Sequence, residues 1–101
     1  MKSRLSLLMI TFNAEELLER SLRSCQGLVE EIVVVDNYSK DKTHDIAQKY
    51  GAKIYLNEED DLGKQRAYGL KKATGDWALV LDSDEIISDE LKSEIKLKVK
   101  S

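Results

Sequence analysis

The sequence predicts an α/β fold of the Rossmann-like three-layer type, in which helices cover both faces of a mostly parallel sheet. Short apolar runs alternate with amphipathic segments, which gives the order strand–helix repeated four times. Residues 32–35, within a strand predicted at 31–36, and residues 77–81 are continuous apolar runs, which is typical of strands buried on both faces. Glycine follows most of the helical segments, where it favours helix termination.

The composition fits a small globular protein and excludes several classes. Of 101 residues, 42% are hydrophobic and 35% are charged, and the net charge is −3. We therefore predict one domain over residues 1–101 and no nucleic-acid partner. Cys25 is the single cysteine of the sequence, which excludes an internal disulfide and favours a reducing, cytoplasmic location. The apolar run at residues 5–12 is too short to span a membrane.

The first strand–helix unit begins with the apolar run of residues 5–10. Asn13 and Glu16 match an N-cap and its capping-box partner, with Asn in place of the usual Ser or Thr. The helix is predicted to end at Gly27. Cys25 falls on its apolar face, and because no base is evident beside it we interpret it as a buried core residue.

The second unit starts with the strand at residues 31–36, which ends on Asp36. A polar turn follows, with Ser39 or Asp41 as the expected cap of a helix over residues 42–50. His44 lies on this helix. Because the sequence holds no second histidine to complete a metal site, we interpret it as an exposed surface residue.

The last two units are shorter. A third strand at residues 52–56 is followed by a solvated acidic loop and a helix over residues 64–73. The fourth strand occupies residues 77–81, and Ser88 is expected to cap a last helix. The tail at residues 95–100 fits both helical spacing and strand alternation, so its structure stays open.

The fourth strand leads into Asp82 and Asp84, an acidic pair one residue apart. If the chain reverses across the sheet after strand three, the strand order is 3-2-1-4 and a crevice forms between strands one and four. Residues 11–13 would then lie beside the acidic pair, with Asp36 on the neighbouring strand. Alternation in an extended chain would put both acids on one side, where a divalent cation relieves their repulsion. A solvated turn is the alternative interpretation.

Carboxylates at this edge of a sheet suit nucleotide chemistry. Asp36 could accept hydrogen bonds from a ribose or a base, and an Asp pair can share Mg²⁺ or Mn²⁺ with a diphosphate. Lys64 and Arg66, near the start of the third helix, could balance phosphate charge. Basic residues on helix surfaces are more commonly just solvated.

Four motifs stand in a fixed order, at residues 11–16, 31–43, 63–77 and 81–85. Their order and spacing resemble those of family-2 glycosyltransferases with the GT-A fold, over about residues 4–95. Within that family the chain resembles bacterial enzymes that build lipopolysaccharide core or related surface glycans. The resemblance implies a UDP- or GDP-sugar donor, a glycan or lipid-linked acceptor, a divalent metal (Mg²⁺ or Mn²⁺) and inversion at the anomeric carbon. It also implies a cytoplasmic protein, at the inner face of the membrane for a lipid-linked acceptor.

The resemblance also implies roles for individual residues. Thr11 and Asn13 would flank the nucleotide, and Asp36 would contact the base. Asp82 would meet the ribose, and Asp84 would hold the metal on the diphosphate. The implied donor-binding residues are Thr11, Asn13, Asp36, Lys64, Arg66 and Asp82, and the implied metal ligands are Asp84 and Asp82.

The chain departs from the family pattern at two motifs. The family often has Asp-x-Gly-Ser where this chain has Tyr38 before Ser39, which predicts either an altered turn or stacking near the base. The family's Ala-Arg-Asn run is absent, because Ala67 is followed by Tyr68 and Gly69.

Family members usually continue well beyond the second acid of the pair, and that continuation supplies the acceptor site and the general base. The base is therefore expected beyond residue 101, and Glu85 is not assigned that role. The chain is then a truncated GT-A fold. It is either a piece or natural fragment of a longer protein, or a nucleotide-binding half that works with a partner. Whether it is active alone stays open.

An uncovered fourth strand would leave an apolar edge, and such edges pair with other chains. We predict a homodimer formed through this edge or through the tail at residues 95–99. Size exclusion with light scattering is expected to give a mass that rises with concentration, and a clean monomer at high concentration would contradict the prediction.

The sequence leaves two alternative functions open. A non-catalytic nucleotide-binding or assembly module would keep the fold, and the absence of an acceptor half favours it. Another α/β enzyme is the second alternative. A sugar nucleotidyltransferase would have a Gly-rich loop after strand one, and residues 11–14 do not form one. A receiver domain would have paired acids after strand one, whereas in this chain they follow strand four.

Overall fold

The computed structural model describes residues 3–100 and confirms the predicted order of elements. The strands are β1 (Leu5–Thr11), β2 (Glu31–Asp36), β3 (Lys53–Leu56) and β4 (Trp77–Val80). The helices are α1 (Leu18–Ser24), α2 (Thr43–Lys49), α3 (Leu62–Lys72) and α4 (Asp89–Lys100), so the ambiguous tail is helical. All four strands run parallel in the order β3-β2-β1-β4, as predicted.

The two central strands carry the core on both faces of the sheet. On one face Leu7 and Met9 of β1 pack with α1, and the residues of this larger cluster include Val34, Leu18, Leu22 and Cys25. On the other face Leu8 packs with Val33 and Val35 beneath Tyr68 of α3. This three-layer arrangement explains why residues 7–10 of β1 and residues 32–35 of β2 are all apolar. None of the described helices has the length and apolar character needed to cross a membrane.

β4 differs from the strand that its sequence predicts. We expected burial on both faces, but Trp77 is 48% exposed and Val80 is 40% exposed. Among the strands of residues 3–100, β4 pairs with β1 alone, so its other edge is open, as expected. An apolar run therefore predicted the strand correctly, but burial depends on neighbouring elements that such a run does not specify.

α1 begins later than the capping-box pattern predicts. Asn13 has a left-handed backbone (φ 48°), and the helix starts at Leu18 without a side-chain cap. The Asn13 N–H donates to Ser39 Oγ at 2.7 Å, and its Oδ1 accepts from the Lys40 N–H at 2.8 Å. Partners on a distant loop thus replace the local capping interaction.

Side-chain caps were also predicted for α4 and α2. Ser88 Oγ accepts the Leu91 N–H at 3.1 Å, which confirms the expected cap of α4. Lys42 precedes α2 and its side chain makes no cap, but Asp41 Oδ1 accepts the Thr43 N–H at 2.9 Å, so Asp41 caps the start of α2 as expected. Ser39 does not cap the helix, and both Ser39 Oγ and Asp41 Oδ2 contact the neighbouring loop, as described below.

Glu31, at the amino end of β2, ties several elements together. Its buried carboxylate accepts hydrogen bonds from Ser6 Oγ at 2.6 Å, Lys53 Nζ at 2.8 Å and the Thr74 N–H at 2.8 Å. Burial acts to raise the pKa of Glu31, but these hydrogen bonds outweigh it and lower the pKa to about 2. The network joins β1, β2, β3 and the segment that leads into β4.

We expect acid to destabilise this fold through Glu31. The folded-state pKa lies below the unfolded value of 4.5, so the carboxylate contributes fully above pH 4.5 and loses its contribution as pH falls toward 2. Glu31→Gln should lower the free energy of unfolding at pH 7 by roughly 1–3 kcal/mol and flatten its acid dependence. Urea unfolding at pH 7 and pH 3 measures this, with exposed Glu58→Gln as the control. The same acid loss in Glu31→Gln as in the unmodified chain would contradict the prediction.

Candidate functional site

A crevice of about 600 Å³ opens at the carboxyl ends of β1 and β4, where the strand order reverses. The β1–α1 loop forms one wall and the turn after β4 forms another. Its lining includes Phe12, Asn13, Arg66, Asp82 and Asp84. The predicted crevice is therefore present, and it brings together residues that lie far apart in the sequence.

The acidic pair lies in a turn beyond β4, not in extended chain. The Asp82 carbonyl accepts the Glu85 N–H at 3.0 Å, and the Glu85 carboxylate accepts the Asp82 N–H at 2.9 Å. The argument from strand alternation was therefore wrong, although Asp82 and Asp84 both line the crevice. The Glu85 side chain closes this turn.

Arg66 of α3 supplies positive charge beside the acidic pair. Its Nη2 lies 3.7 Å from Asp82 Oδ1, in an ion pair that is largely exposed. Its Nε is buried and has no hydrogen-bond partner. Because buried donors are rarely left unpaired, this atom marks a position where an acceptor would be favourable. Lys64 does not line the crevice, and its N–H donates to the N-cap Asp61 at 3.0 Å.

Asp36 is fully buried at the end of β2, behind the crevice wall. Its Oδ1 accepts from Thr11 Oγ1 and Ser39 Oγ, both at 2.6 Å. Its Oδ2 accepts the Ser39 N–H at 2.7 Å and lies 2.8 Å from His44 Nε2. Burial acts to raise the pKa of Asp36, but these hydrogen bonds outweigh it and hold the pKa below its usual range. Neither Thr11 nor Asp36 lines the crevice.

His44 was predicted to be an exposed surface residue, and this was wrong. Its side chain is 37% exposed, and its Nε2 contacts the buried Asp36 carboxylate. Sequence analysis missed it because no short motif links the two positions. A physical argument could have found it. A buried carboxylate at the end of a strand needs hydrogen-bond donors, and the helix that follows the strand can supply one.

The β2–α2 loop holds the β1–α1 loop through a set of hydrogen bonds that we name the loop clamp. The N–H groups of residues 13–15 donate in turn to Ser39 Oγ at 2.7 Å, Thr43 Oγ1 at 2.8 Å and Asp41 Oδ2 at 3.1 Å. The Asn13 side chain returns a contact by accepting the Lys40 N–H. The clamp fixes the wall of the crevice that residues 13–15 form.

Tyr38 lies in the β2–α2 loop, at the position where the family often has glycine. Its φ is 56°, in the left-handed region that costs most residues about 1–2 kcal/mol. The turn is therefore of the kind that glycine adopts, so the residue type has not altered it. The ring is 54% exposed and does not line the crevice.

The crevice offers two carboxylates to a divalent metal, from Asp82 and Asp84. Within residues 3–100 no cluster of three or more His, Cys, Asp and Glu side chains could enclose an ion. Asp82 and Asp84 do place two carboxylates on the crevice wall. Mg²⁺ and Mn²⁺ commonly take one or two carboxylates and complete their coordination with phosphate and water. The residues thus fit a cation that binds together with a nucleotide.

Sequence comparisons agree with this architecture. A family model for "Glycosyl transferase family 2" matches residues 6–98. An uncharacterized glycosyltransferase of Rickettsia typhi is 34% identical over 93 residues, which are 92% of this chain and 32% of that protein.

Solved structures give the same result. TarS 1-349 of Staphylococcus aureus superposes with a TM-score of 0.79 at 32% identity, covering 90% of this chain and 30% of that one. The same protein in complex with UDP gives a TM-score of 0.71 at 30% identity. Glucosyl-3-phosphoglycerate synthase from Mycobacterium tuberculosis, with Mn²⁺, UDP and glucosyl-3-phosphoglycerate, gives 0.69 at 25% identity, covering 80% and 33%. The chain spans about a third of the length of each of these proteins.

Proposed function

The chain belongs to glycosyl transferase family 2, and we propose that it is the donor-binding domain of an enzyme that transfers a sugar from a nucleotide diphospho-sugar with inversion. The observation that carries this proposal is the crevice between β1 and β4. It combines an acidic pair with an arginine whose buried Nε lacks an acceptor. In this proposal the acceptor site and the general base lie outside residues 1–101.

Different residues of the crevice bind different parts of the nucleotide-sugar donor. Asp84 holds the divalent cation, while Asp82 accepts hydrogen bonds from the ribose and shares the cation. Arg66 binds the diphosphate through the Nη groups of its partly exposed side chain. Asn13 flanks the nucleotide from the opposite wall, and Lys64 contributes only through its charge. The cation, when bound, neutralises the charge that develops on the departing nucleoside diphosphate.

We propose a UDP-sugar as the donor, with a GDP-sugar as the alternative. Support comes from TarS and glucosyl-3-phosphoglycerate synthase, which were solved with UDP, the latter also with Mn²⁺. The proposed acceptor is a glycan or a lipid-linked glycan of the cell envelope, and a lipid-linked acceptor would place the enzyme at the inner face of the membrane. The open edge of β4 supports pairing with a second copy of the chain.

Titration calorimetry of UDP against the chain tests the proposal. We expect binding in the presence of Mn²⁺ and none after addition of EDTA, because Asp82 and Asp84 would hold the cation that offsets the charge of the diphosphate. Absence of binding under both conditions would contradict it. Sugar transfer or hydrolysis of a UDP-sugar by the isolated chain would exclude the non-catalytic alternative.

Arg66→Gln and Lys64→Gln form a matched pair of substitutions. Each removes one positive charge from the same helix, but only Arg66 lines the crevice. A hydrogen bond to a charged group contributes about 1.5–3 kcal/mol, so we expect Arg66→Gln to weaken UDP binding with Mn²⁺ at least about tenfold. Lys64→Gln should weaken it by less than about threefold, the scale of an exposed charge. Equal losses in the two variants would remove the proposed role of Arg66.

A further inference from the structure

A path of hydrogen bonds leads from a half-buried histidine to the crevice wall. His44 Nε2 lies 2.8 Å from Asp36 Oδ2. Ser39 Oγ donates to Asp36 Oδ1 at 2.6 Å and accepts the Asn13 N–H at 2.7 Å. A hydroxyl has one proton and two lone pairs, so donating to Asp36 leaves the oxygen free to accept from Asn13. Asn13 itself lines the crevice.

Asp36 is placed to organise this path rather than to touch a ligand. Its carboxylate has no exposed surface, and each oxygen already has two donors within 2.8 Å. A base N–H would have to displace one of these donors and reach a buried atom. Conversely, loss of the His44 contact leaves a buried charge with one donor fewer, which favours rearrangement of Ser39.

The crevice wall needs such support because its backbone is unusual. Asn13 adopts φ 48°, a conformation that asparagine tolerates better than most residues but that is still sparsely populated. Such conformations persist where surrounding contacts over-determine them. Here the contacts are the loop clamp, and Ser39 is the member of the clamp that Asp36 holds.

We propose that His44 is a positioning residue for donor binding. By completing the hydrogen bonding of Asp36 it fixes Ser39, and through Ser39 it fixes the Asn13 turn that faces the nucleotide. Asp36 and Thr11 act through the same network instead of contacting the base. The inference rests on the proposed function for the identity of the ligand, whereas the fixed turn is a property of the unliganded chain.

Four variants test this role. His44→Ala removes the contact with Asp36. In His44→Gln the side-chain amide nitrogen lies the same number of bonds from Cβ as imidazole Nε2, so it can still donate to Asp36. His44→Asn keeps a polar side chain that is too short, and it replaces His44→Ala if that variant does not fold. Gln48→Ala alters an exposed residue of the same helix and is the matched control.

Two readouts are compared across these variants. Amide hydrogen exchange at Asn13, followed by NMR without ligand, reports the turn. Titration calorimetry of UDP with Mn²⁺ reports donor binding. In His44→Ala and His44→Asn we expect exchange at least about tenfold faster and UDP affinity about three- to tenfold weaker. His44→Gln should restore both, and Gln48→Ala should change neither.

Several results would overturn the proposal. Exchange at Asn13 in His44→Ala that matches Gln48→Ala would show that the turn does not depend on His44. Faster exchange with unchanged UDP affinity would remove the link to binding. A gain in UDP affinity would instead assign base contact to Asp36, because an acceptor has been freed. If the unmodified chain binds no UDP with Mn²⁺, the proposed function fails for this chain, while amide exchange still decides whether His44 holds the turn.

Discussion

Asp84→Ala is expected to abolish metal-dependent binding of UDP, with a loss of affinity in Mn²⁺ of at least about 100-fold. The substitution removes a carboxylate from the crevice wall, and residues 3–100 contain no enclosed cluster that could hold the cation in its place. Replacing a residue that only orients a metal ligand typically costs 10–100-fold, so loss of a direct ligand should lie at or above the upper end of that range.

The metal can be measured without turnover. Electron paramagnetic resonance of Mn²⁺ gives the bound fraction with and without UDP, and calorimetry gives the nucleotide affinity. Asp60→Ala removes an exposed acid outside the crevice and should leave both quantities within about twofold. Retention of UDP affinity within about threefold in Asp84→Ala would exclude Asp84 as a ligand.

Gly75→Ala is expected to be the most destabilising single-methyl substitution proposed for this chain, at roughly 3 kcal/mol of the free energy of unfolding. A Cβ atom at this position would lie 2.5 Å from Ser6 Oγ, 2.8 Å from the Ser6 backbone nitrogen and 2.9 Å from the Arg4 carbonyl oxygen. Backbone atoms cannot move aside as a flexible side chain can. The Gly75 N–H also donates to Ser6 Oγ at 2.9 Å, so displacement would disturb the Glu31 network.

Gly63→Ala is the matched control for this substitution. Gly63 lies in the exposed first turn of α3, where an added Cβ meets only Asp61 Oδ1, at 3.2 Å. Alanine stabilises a helix by up to about 1 kcal/mol relative to glycine, so this variant should be neutral or slightly more stable. Urea unfolding of both variants measures the difference. A cost below about 1 kcal/mol for Gly75→Ala would show that the α3–β4 connection can move away from β1.

Much of the architecture could be predicted from the chain alone. The apolar run of β2 indicated a central strand, and alternation with helical segments indicated parallel pairing. On the assumption that the chain reverses across the sheet after strand three, the observed strand order was also predicted, and with it the location of the crevice beside Asp82 and Asp84. These predictions succeeded because they depend on periodicity and connectivity, which are written locally in the sequence.

Other features could not be read locally. Asn13 matched a capping box, but its hydrogen-bond partners lie 26 and 27 residues away and hold it in a left-handed turn. His44 looked exposed until the fold placed it against a buried carboxylate. The apolar run of β4 did not reveal that Trp77 would remain 48% exposed.

The sequence by itself thus determined the α/β class, the parallel pairing of the strands and which end of the strands carries the acidic residues. Only the tertiary structure decided which polar residues face the crevice and which support it from behind. It placed Arg66 in the crevice lining and Lys64 outside it, and it buried Asp36 among four hydrogen-bond donors. The physical reason is that periodicity is a property of neighbouring residues, whereas hydrogen-bond satisfaction of a buried group depends on whichever distant segments the fold brings to it.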